Sequence, residues 1–383
     1  MNDRAGKYIR QPDGYDAFSP NPLPPKPNIE WDDELHSLLS EADRAVARLD
    51  GIFTVLPKND LFIAMYVKKE ALLSSQIEGT RASLEGVLEF EADLKPKGEI
   101  REVTEVINYI NALNYGIYQL KEDFPLSLRL IKIIHKELIQ GTRGDLSNIG
   151  EFRKVQNWIG KKGASIYEAD FIPPPISIVP NAMSDLEKFL HLKDKIPPLI
   201  RIALIHAQFE TIHPFADGNG RIGRLLITFY LFWKGILSKP LLYMSFYLKK
   251  HRDEYYYLLM SIRDNGDWEK WIKFFLKGVI EVSRESANTA KEIIQLRDNL
   301  KDLLYEKNVS SKYSSKLIDL IFEHPILSII NASKKLNVQH FTLNEIFKKF
   351  EKIGILKEIT GKKRNKKYMF IDYVAIIAKG TTN

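Results

Sequence analysis

Between His213 and Arg224 the chain reads HPFADGNGRIGR, which sets an imidazole, a carboxylate, a glycine-flanked turn and two guanidinium groups within twelve residues. An imidazole can take the proton from a hydroxyl near neutral pH, a contribution of roughly 10²–10⁴ in rate. Gly218, Asn219 and Gly220 lead into the apolar run LLITFYLFW, so the turn opens a helix whose free N–H groups and partial positive charge suit a phosphate. Arg221 and Arg224 stand one helical turn apart at that positive end, where cations are unfavourable unless an anion lies between them. Asp217 offers an oxygen ligand that could share a Mg²⁺ ion with substrate phosphates. Chemistry at a phosphate is largely positioning and charge neutralisation, and these are the residue types for it. Gly218, Gly220 and Gly223 also satisfy GxGxxG, but the dinucleotide fingerprint requires a preceding strand. Here PPLIRIALIHAQFETI has helical spacing, which rejects that reading.

At every position the segment resembles HxFx(D/E)GNGRxxR, the signature of Fic-domain nucleotidylyl transferases. The resemblance implies a protein adenylyltransferase that moves AMP from ATP to a Ser, Thr or Tyr hydroxyl of a target protein and of itself. It implies His213 as general base, Phe215 as the apolar anchor of the loop and Asp217 as the Mg²⁺ ligand. The amides of Gly218 to Gly220 and Asn219 are then expected to hold phosphates, and Arg221 and Arg224 to grip the polyphosphate tail. ATP and Mg²⁺ are the cofactors this implies. Glycine at position 218 favours AMP transfer over the phosphate transfer of a kinase-like branch of the family.

Upstream, EALLSSQIEGT (residues 70 to 80) ends a helix, with Gly79 in the position that commonly terminates one. Glu78 therefore sits at a helix C-terminus, the unfavourable end for a carboxylate, and calls for a cation. Ser74, four residues earlier, shares its face. Ser74, Glu78 and Gly79 resemble the inhibitory motif (S/T)xxxE(G/N) of many Fic proteins, which implies that Glu78 pairs with Arg224 and crowds the γ-phosphate site. In some relatives this glutamate also assists removal of AMP, and the residues alone leave that direction open.

The elements that must position these residues indicate a mainly α protein: a helical Fic fold with a β-hairpin flap and a small C-terminal winged helix-turn-helix domain. Residues 1–30, containing NPLPPKPN, are expected as an extended arm, and 31–120 as a helical region carrying the inhibitory helix. The catalytic core is expected over 121–280. In it, GEFRKVQNWIGKKGASIYEADFIPPP is read as a hairpin that resembles the family's target-aligning flap. A linker helix follows over 281–309, then the winged-helix domain over 310–376. There Leu343, Ile346, Phe347 and Phe350 bury one helix face, and GKKRNKK carries five basic residues in seven that could contact DNA phosphates. Within the core helix before the signature, His206 is expected to be a satisfied core residue, Gln208 to reach the nucleotide, and Tyr255 to Tyr257 to pack.

With 383 residues, 44% hydrophobic content and no long apolar span, the chain is expected to be soluble, with two or three domains and no membrane partner. The polar start MNDRAGKYIRQPDGYDAF makes the cytoplasm the simplest expectation. The absence of cysteine excludes disulfides and thiolate zinc sites, and a net charge of +7 permits nucleic-acid contact without demanding it. The target protein is not derivable, and a homodimer is left open. An alternative is a DNA-binding regulator whose Fic site only senses nucleotide; another is transfer of a different nucleotide such as UMP.

Overall fold

Two helices with almost no polar face set the architecture. The computed structural model describes residues 3–54, 59–96, 98–142, 148–161 and 163–381. Helix α7 (Pro198–Ile212) starts on proline, whose fixed φ suits a first helical position, and is buried from Leu199 to Ile212. Helix α8 (Asn219–Trp233) is buried through Leu231 except at Gly220. Helices apolar on all sides must be wrapped by others. Accordingly α6 (Val179–His191), α10 (Arg252–Asn265) and α11 (Trp268–Glu306) pack on α7. On α8 lie α2 (Asn59–Ile77), α4 (Ile100–Lys121) and α5 (Leu128–Ile139). Gly116 of α4 meets the Phe229 ring of α8 so closely that a Cβ there would overlap it.

Around this centre α1 (Asp33–Thr54) runs along α11, and α9 (Ser245–Lys250) packs on α2. Helix α3 (Leu84–Glu91) is started by Ser83, whose hydroxyl accepts the Gly86 N–H. The linker expected over 281–309 is the second half of α11, which continues unbroken from the core. Its buried face persists through Val282, Ala290, Ile293, Leu300 and Leu304, so no boundary falls at 280. Among the described residues no helix is long and apolar enough to cross a membrane.

The N-terminal segment, expected as an extended arm, forms an antiparallel hairpin of β1 (Gly6–Arg10) and β2 (Asp16–Pro20). Its prolines and charges conceal the buried Ala17 and Phe18, and the Phe18 N–H bonds to Ile172 O at 3.0 Å. Arg4 anchors the segment with two bonds to Glu269, at 2.7 and 2.8 Å. The segment 150–175, expected as a hairpin flap, is closed among the described residues by one antiparallel pair, Ile159 with Phe171, rather than by a full two-stranded ladder. Prolines at 173–175 supply no N–H, and side chains take over: Gln156 donates to Pro173 O at 2.9 Å and Trp158 to Ala164 O at 2.9 Å. Within the expected KKG turn, Lys162 lies outside the described residues.

Beyond α11 the order is α12 (Lys312–Glu323), β3 (Ile326–Ser328), α13 (Ile329–Leu336), α14 (His340–Lys352), β4 (Lys357–Glu358) and β5 (Lys367–Met369). Ser311 and Ser328 cap α12 and α13. The strands pair antiparallel in the order β3-β5-β4, and GKKRNKK joins β4 to β5 as expected. A last helix, α15 (Ile371–Ala378), returns onto α2 and α11. The C-terminal module thereby leans on α2, where the Gln76 amide donates to Thr381 O at 3.1 Å. Gly116→Val should lower stability by about 1–3 kcal/mol through overpacking against Phe229. An unchanged thermal midpoint would contradict the close α4–α8 approach.

Candidate active site

The loop joining α7 to α8 keeps its shape through its own residues and two neighbours. His213 ends α7 in the left-handed region (φ 49°, ψ 58°), with its N–H still bonded to Phe209 O at 2.9 Å. Such a conformation costs a non-glycine residue about 1–3 kcal/mol and needs outside support. Arg153 provides it: Nε donates to His213 O at 3.0 Å, and its own N–H to Pro214 O at 2.8 Å. Phe215 is fully buried and lies flat against His135, with ring centroids 3.9 Å apart and planes at 6°. Asn219 closes the loop, accepting the Phe215 N–H and donating to Phe215 O, both at 2.8 Å. Its side-chain oxygen and one amide N–H are therefore committed to the main chain, so Asn219 shapes the loop, and its backbone N–H at the start of α8 is left for the phosphate contact expected of it. Gly218 takes φ 77°, and a Cβ there would come within 2.8 Å of Ile139 Cδ1, so a side chain at this position is strained where glycine is not.

Helix α8 begins at Asn219, directing its free N–H groups at the surface where a substrate anion would lie. Arg224 is buried, with Nε donating to Ser74 Oγ at 2.8 Å and Nη2 to Ser74 O at 2.9 Å. Its Nη2 also meets Glu78 Oε1 at 2.6 Å. Burial pushes the Glu78 carboxyl up, but Arg224, Arg221 and His213 outweigh this and hold it below its ordinary value. The Glu78 carboxylate sits over Gly220, where a Cβ would overlap it. Gly79, at φ 97°, turns the chain after α2 and places Glu78 there. Nε and Nη1 of Arg221 are buried with no hydrogen-bond partner among the described residues, while Nη2 stands 3.7 Å from Asp217. These donors suit an anion arriving at the helix start.

Two cavities meet here. The larger, about 810 Å³, lies between the flap and α10 and is lined in part by Ile159, Phe171, Glu210, Tyr256, Met260 and Arg263. A smaller polar one of about 150 Å³ is lined by Glu78, Gly79, Thr80, Glu102, Glu105, Asp217 and Arg221. Glu78 and Gly79 line both and partition them. The larger volume falls in the range of small-molecule sites. Half-exposed at the smaller cavity, Asp217 suits Mg²⁺, which takes one or two carboxylates and completes its shell with phosphates and water.

Burial, with Arg263 and Arg153 nearby, pulls the His213 imidazole down to about 4, so the ring is neutral and able to accept a proton near pH 7. His206 is the core residue expected, at hydrogen-bonding distance from Gly223 O (3.0 Å) and Tyr255 OH (2.9 Å). Gln208 departs from its expected role: it lines neither cavity, and its amide donates to Asn21 O at 2.8 Å, tying down the N-terminal hairpin. Of the three tyrosines, Tyr255 packs inside, whereas Tyr256 and Tyr257 border the larger cavity. Sequence reasoning overlooked Arg153, His135, Glu210 and Arg263. Arg153, His135 and Arg263 lie far from the signature in sequence, Glu210 precedes it on α7 with its carboxylate against Gly223, and no local spacing marks any of them.

Residues 36–118 match the model of the Fic/DOC family N-terminal region, and residues 125–231 that of the Fic/DOC family. A chain named "probable protein adenylyltransferase" from Aquifex aeolicus is 31% identical over 183 residues, 46% of this chain and 51% of that one. Protein adenylyltransferase Fic from Drosophila grimshawi is 28% identical over 219 residues, 54% of this chain and 41% of that one. The chain thus spans about half the length of these curated relatives, or less. A crystal structure of a Fic family protein from Desulfovibrio desulfuricans shares the fold with a TM-score of 0.58 and 22% identity, over 89% of this chain and 97% of that one. The two sequence matches take in the helix bearing Ser74 and Glu78 and the loop bearing His213, so this chain carries the Fic/DOC family N-terminal region and the Fic/DOC domain.

Proposed function

We propose that this chain is a protein adenylyltransferase using MgATP and held inactive by Glu78. The observation that carries the reading is the set of groups at the start of α8. The His213 ring, the helix amides and the buried nitrogens of Arg221 gather beside Glu78, which lines both the small cavity bordered by Arg221 and Asp217 and the adjoining one of about 810 Å³, large enough for a nucleoside. His213 takes the proton of a target Ser, Thr or Tyr hydroxyl. The hydroxyl oxygen bonds to the α-phosphorus of ATP, the bond from that phosphorus to the bridging oxygen breaks, and pyrophosphate leaves. Mg²⁺, held by Asp217, would neutralise phosphate charge when bound. Arg221 and Arg224 hold the phosphate tail, and the flap presents the target segment. The curated relatives named as adenylyltransferases support the same reading.

Autoinhibition follows from competition for one guanidinium. Arg224 reaches a terminal phosphate only if Glu78 leaves it, and Glu78 lies on the partition that a triphosphate would cross. With Glu78 in place, ATP is held in a nonproductive pose.

A specific observation favours a second activity in the C-terminal module, read as a winged helix that binds DNA. A groove of about 430 Å³ runs between α14 and the loop before β5, lined among others by Asn344, Lys348, Lys363, Arg364 and Lys366. Basic groups along a helix and an adjoining loop suit phosphates flanking a major groove.

Two measurements test these proposals. His213→Ala should abolish transfer of label from [α-³²P]ATP to protein while nucleotide affinity stays within a few-fold. Persistent labelling would remove His213 as the base, and reversible binding with no labelling in any variant would leave only nucleotide sensing. For the C-terminal module, filter binding across a salt series should show duplex affinity that falls steeply with salt and is weakened by Lys363→Glu with Arg364→Glu. No retention even at low salt would remove DNA from the account.

A further inference from the structure

The proposed phosphate loop rests against a buried histidine in a separate helix. His135 on α5 is 3% exposed, and its Nδ1 accepts the Gly150 N–H at 3.0 Å. A nitrogen that accepts a hydrogen bond carries no proton, so the ring proton of a neutral His135 must be on Nε2. That nitrogen lies 3.1 Å from the carbonyl oxygen of Asp217, to which it donates. The same ring stacks on Phe215, and one turn further along α5 Ile139 abuts Gly218. Helix α5 therefore supports the loop at three successive points.

The direction of the Asp217 carbonyl has a consequence for the next amide. In a planar trans peptide the carbonyl and the following N–H point opposite ways. With the carbonyl drawn back onto His135, the Gly218 N–H must face forward, and there it meets the half-exposed Asp217 carboxylate at 2.6 Å. Rotating this peptide by half a turn would aim a carbonyl at an incoming phosphate, and the loop itself opposes that through the Gly218 N–H bond to the half-exposed Asp217 carboxylate, a group with its own expected role toward Mg²⁺. Asn219 fixes Phe215, and Arg153 fixes His213 and Pro214, but neither holds the Asp217 carbonyl.

We propose that His135 is a positioning residue for nucleotide binding, one that aims the Gly218 amide into the site by holding the Asp217 carbonyl from behind. This rests on the reading of the loop as a phosphate site. Through the Gly150 N–H the ring also joins the loop to the segment that enters the flap, so a single imidazole sets the spacing between phosphate and target.

The test uses full-length protein carrying Glu78→Gly, so that the site is open. His135→Phe keeps a flat ring against Phe215 and removes both hydrogen bonds. His135→Gln keeps an N–H donor near the position of Nε2. The Phe variant should raise the KM for ATP at least tenfold with kcat within about threefold, and the Gln variant should recover most of the loss. A KM within twofold of the parent in the Phe variant, or equal losses in both variants tracking lowered thermal midpoints, would overturn the proposal. Independently of ATP, ¹⁵N NMR of the imidazole in the unsubstituted protein should show a protonated Nε2 and a bare Nδ1. The opposite tautomer would overturn it as well. If Glu78→Gly protein neither binds ATP nor transfers label, the functional reading fails instead, and the nitrogen spectrum still decides the hydrogen-bond arrangement.

Discussion

The site is organised around a positive charge that cannot be switched off. Arg224 is 2% exposed, and a guanidinium keeps its proton in any protein environment, so the fold must supply it with oxygen partners at all times. Ser74 gives two, its hydroxyl and its carbonyl, and Glu78 gives the compensating charge. Two other carboxylates are nearby, Glu70 and Glu210, but burial pushes both up to about 7 and makes them poor counter-ions. Stripping one partner from a buried ion pair costs about 3–5 kcal/mol, less here because the Glu78 side chain is 37% exposed. Glu78 thus leaves readily only when another anion takes its place, and a phosphate at the start of α8 is such an anion. In the proposed function, inhibition and substrate binding are alternative ways of meeting one electrostatic requirement.

Helix α2, which carries Ser74 and Glu78 toward this charge, is built into the body of the protein. Helix α2 packs on α4, α8 and α9, and on its other side on α12 and α15 of the C-terminal module. Gln76, two residues before Glu78, ties both sides together: its amide donates to Thr381 O, and its carbonyl oxygen accepts from Lys249 at 2.8 Å. Displacing Glu78 can therefore be a side-chain event, with α2 itself remaining packed. The loop opposite is equally constrained, because His213 adopts an unfavourable backbone shape that Arg153 stabilises from the base of the flap.

Much of this was legible in the residues. The twelve-residue signature located the loop and the helix start, because glycines before an apolar run have few other structural uses. The pairing of Glu78 with Arg224 was an implication of family resemblance, and a carboxylate at a helix C-terminus gave it independent physical reason. What stayed hidden depends on contacts between distant segments. Asn219 has the right chemistry for a phosphate, and only its two bonds to Phe215 show that its side chain also shapes the loop. Gln208 turns toward Asn21 because the N-terminal hairpin packs there, and that hairpin was masked by prolines and charges around Ala17 and Phe18. The boundary at 280 was misplaced because α11 carries no break in sequence or in packing. His135 and Arg153 act through main-chain carbonyls, for which no spacing rule exists.

The central claim is that Glu78 and the tail of ATP compete for Arg224. Its most direct test is quantitative self-labelling with [α-³²P]ATP and Mg²⁺, comparing the unsubstituted protein with Glu78→Gly at equal concentration. Competition requires at least a tenfold gain in labelling rate in the variant, lost again when Arg224→Ala is added. Equal labelling in the two proteins would contradict it, and so would a gain that survives the loss of Arg224.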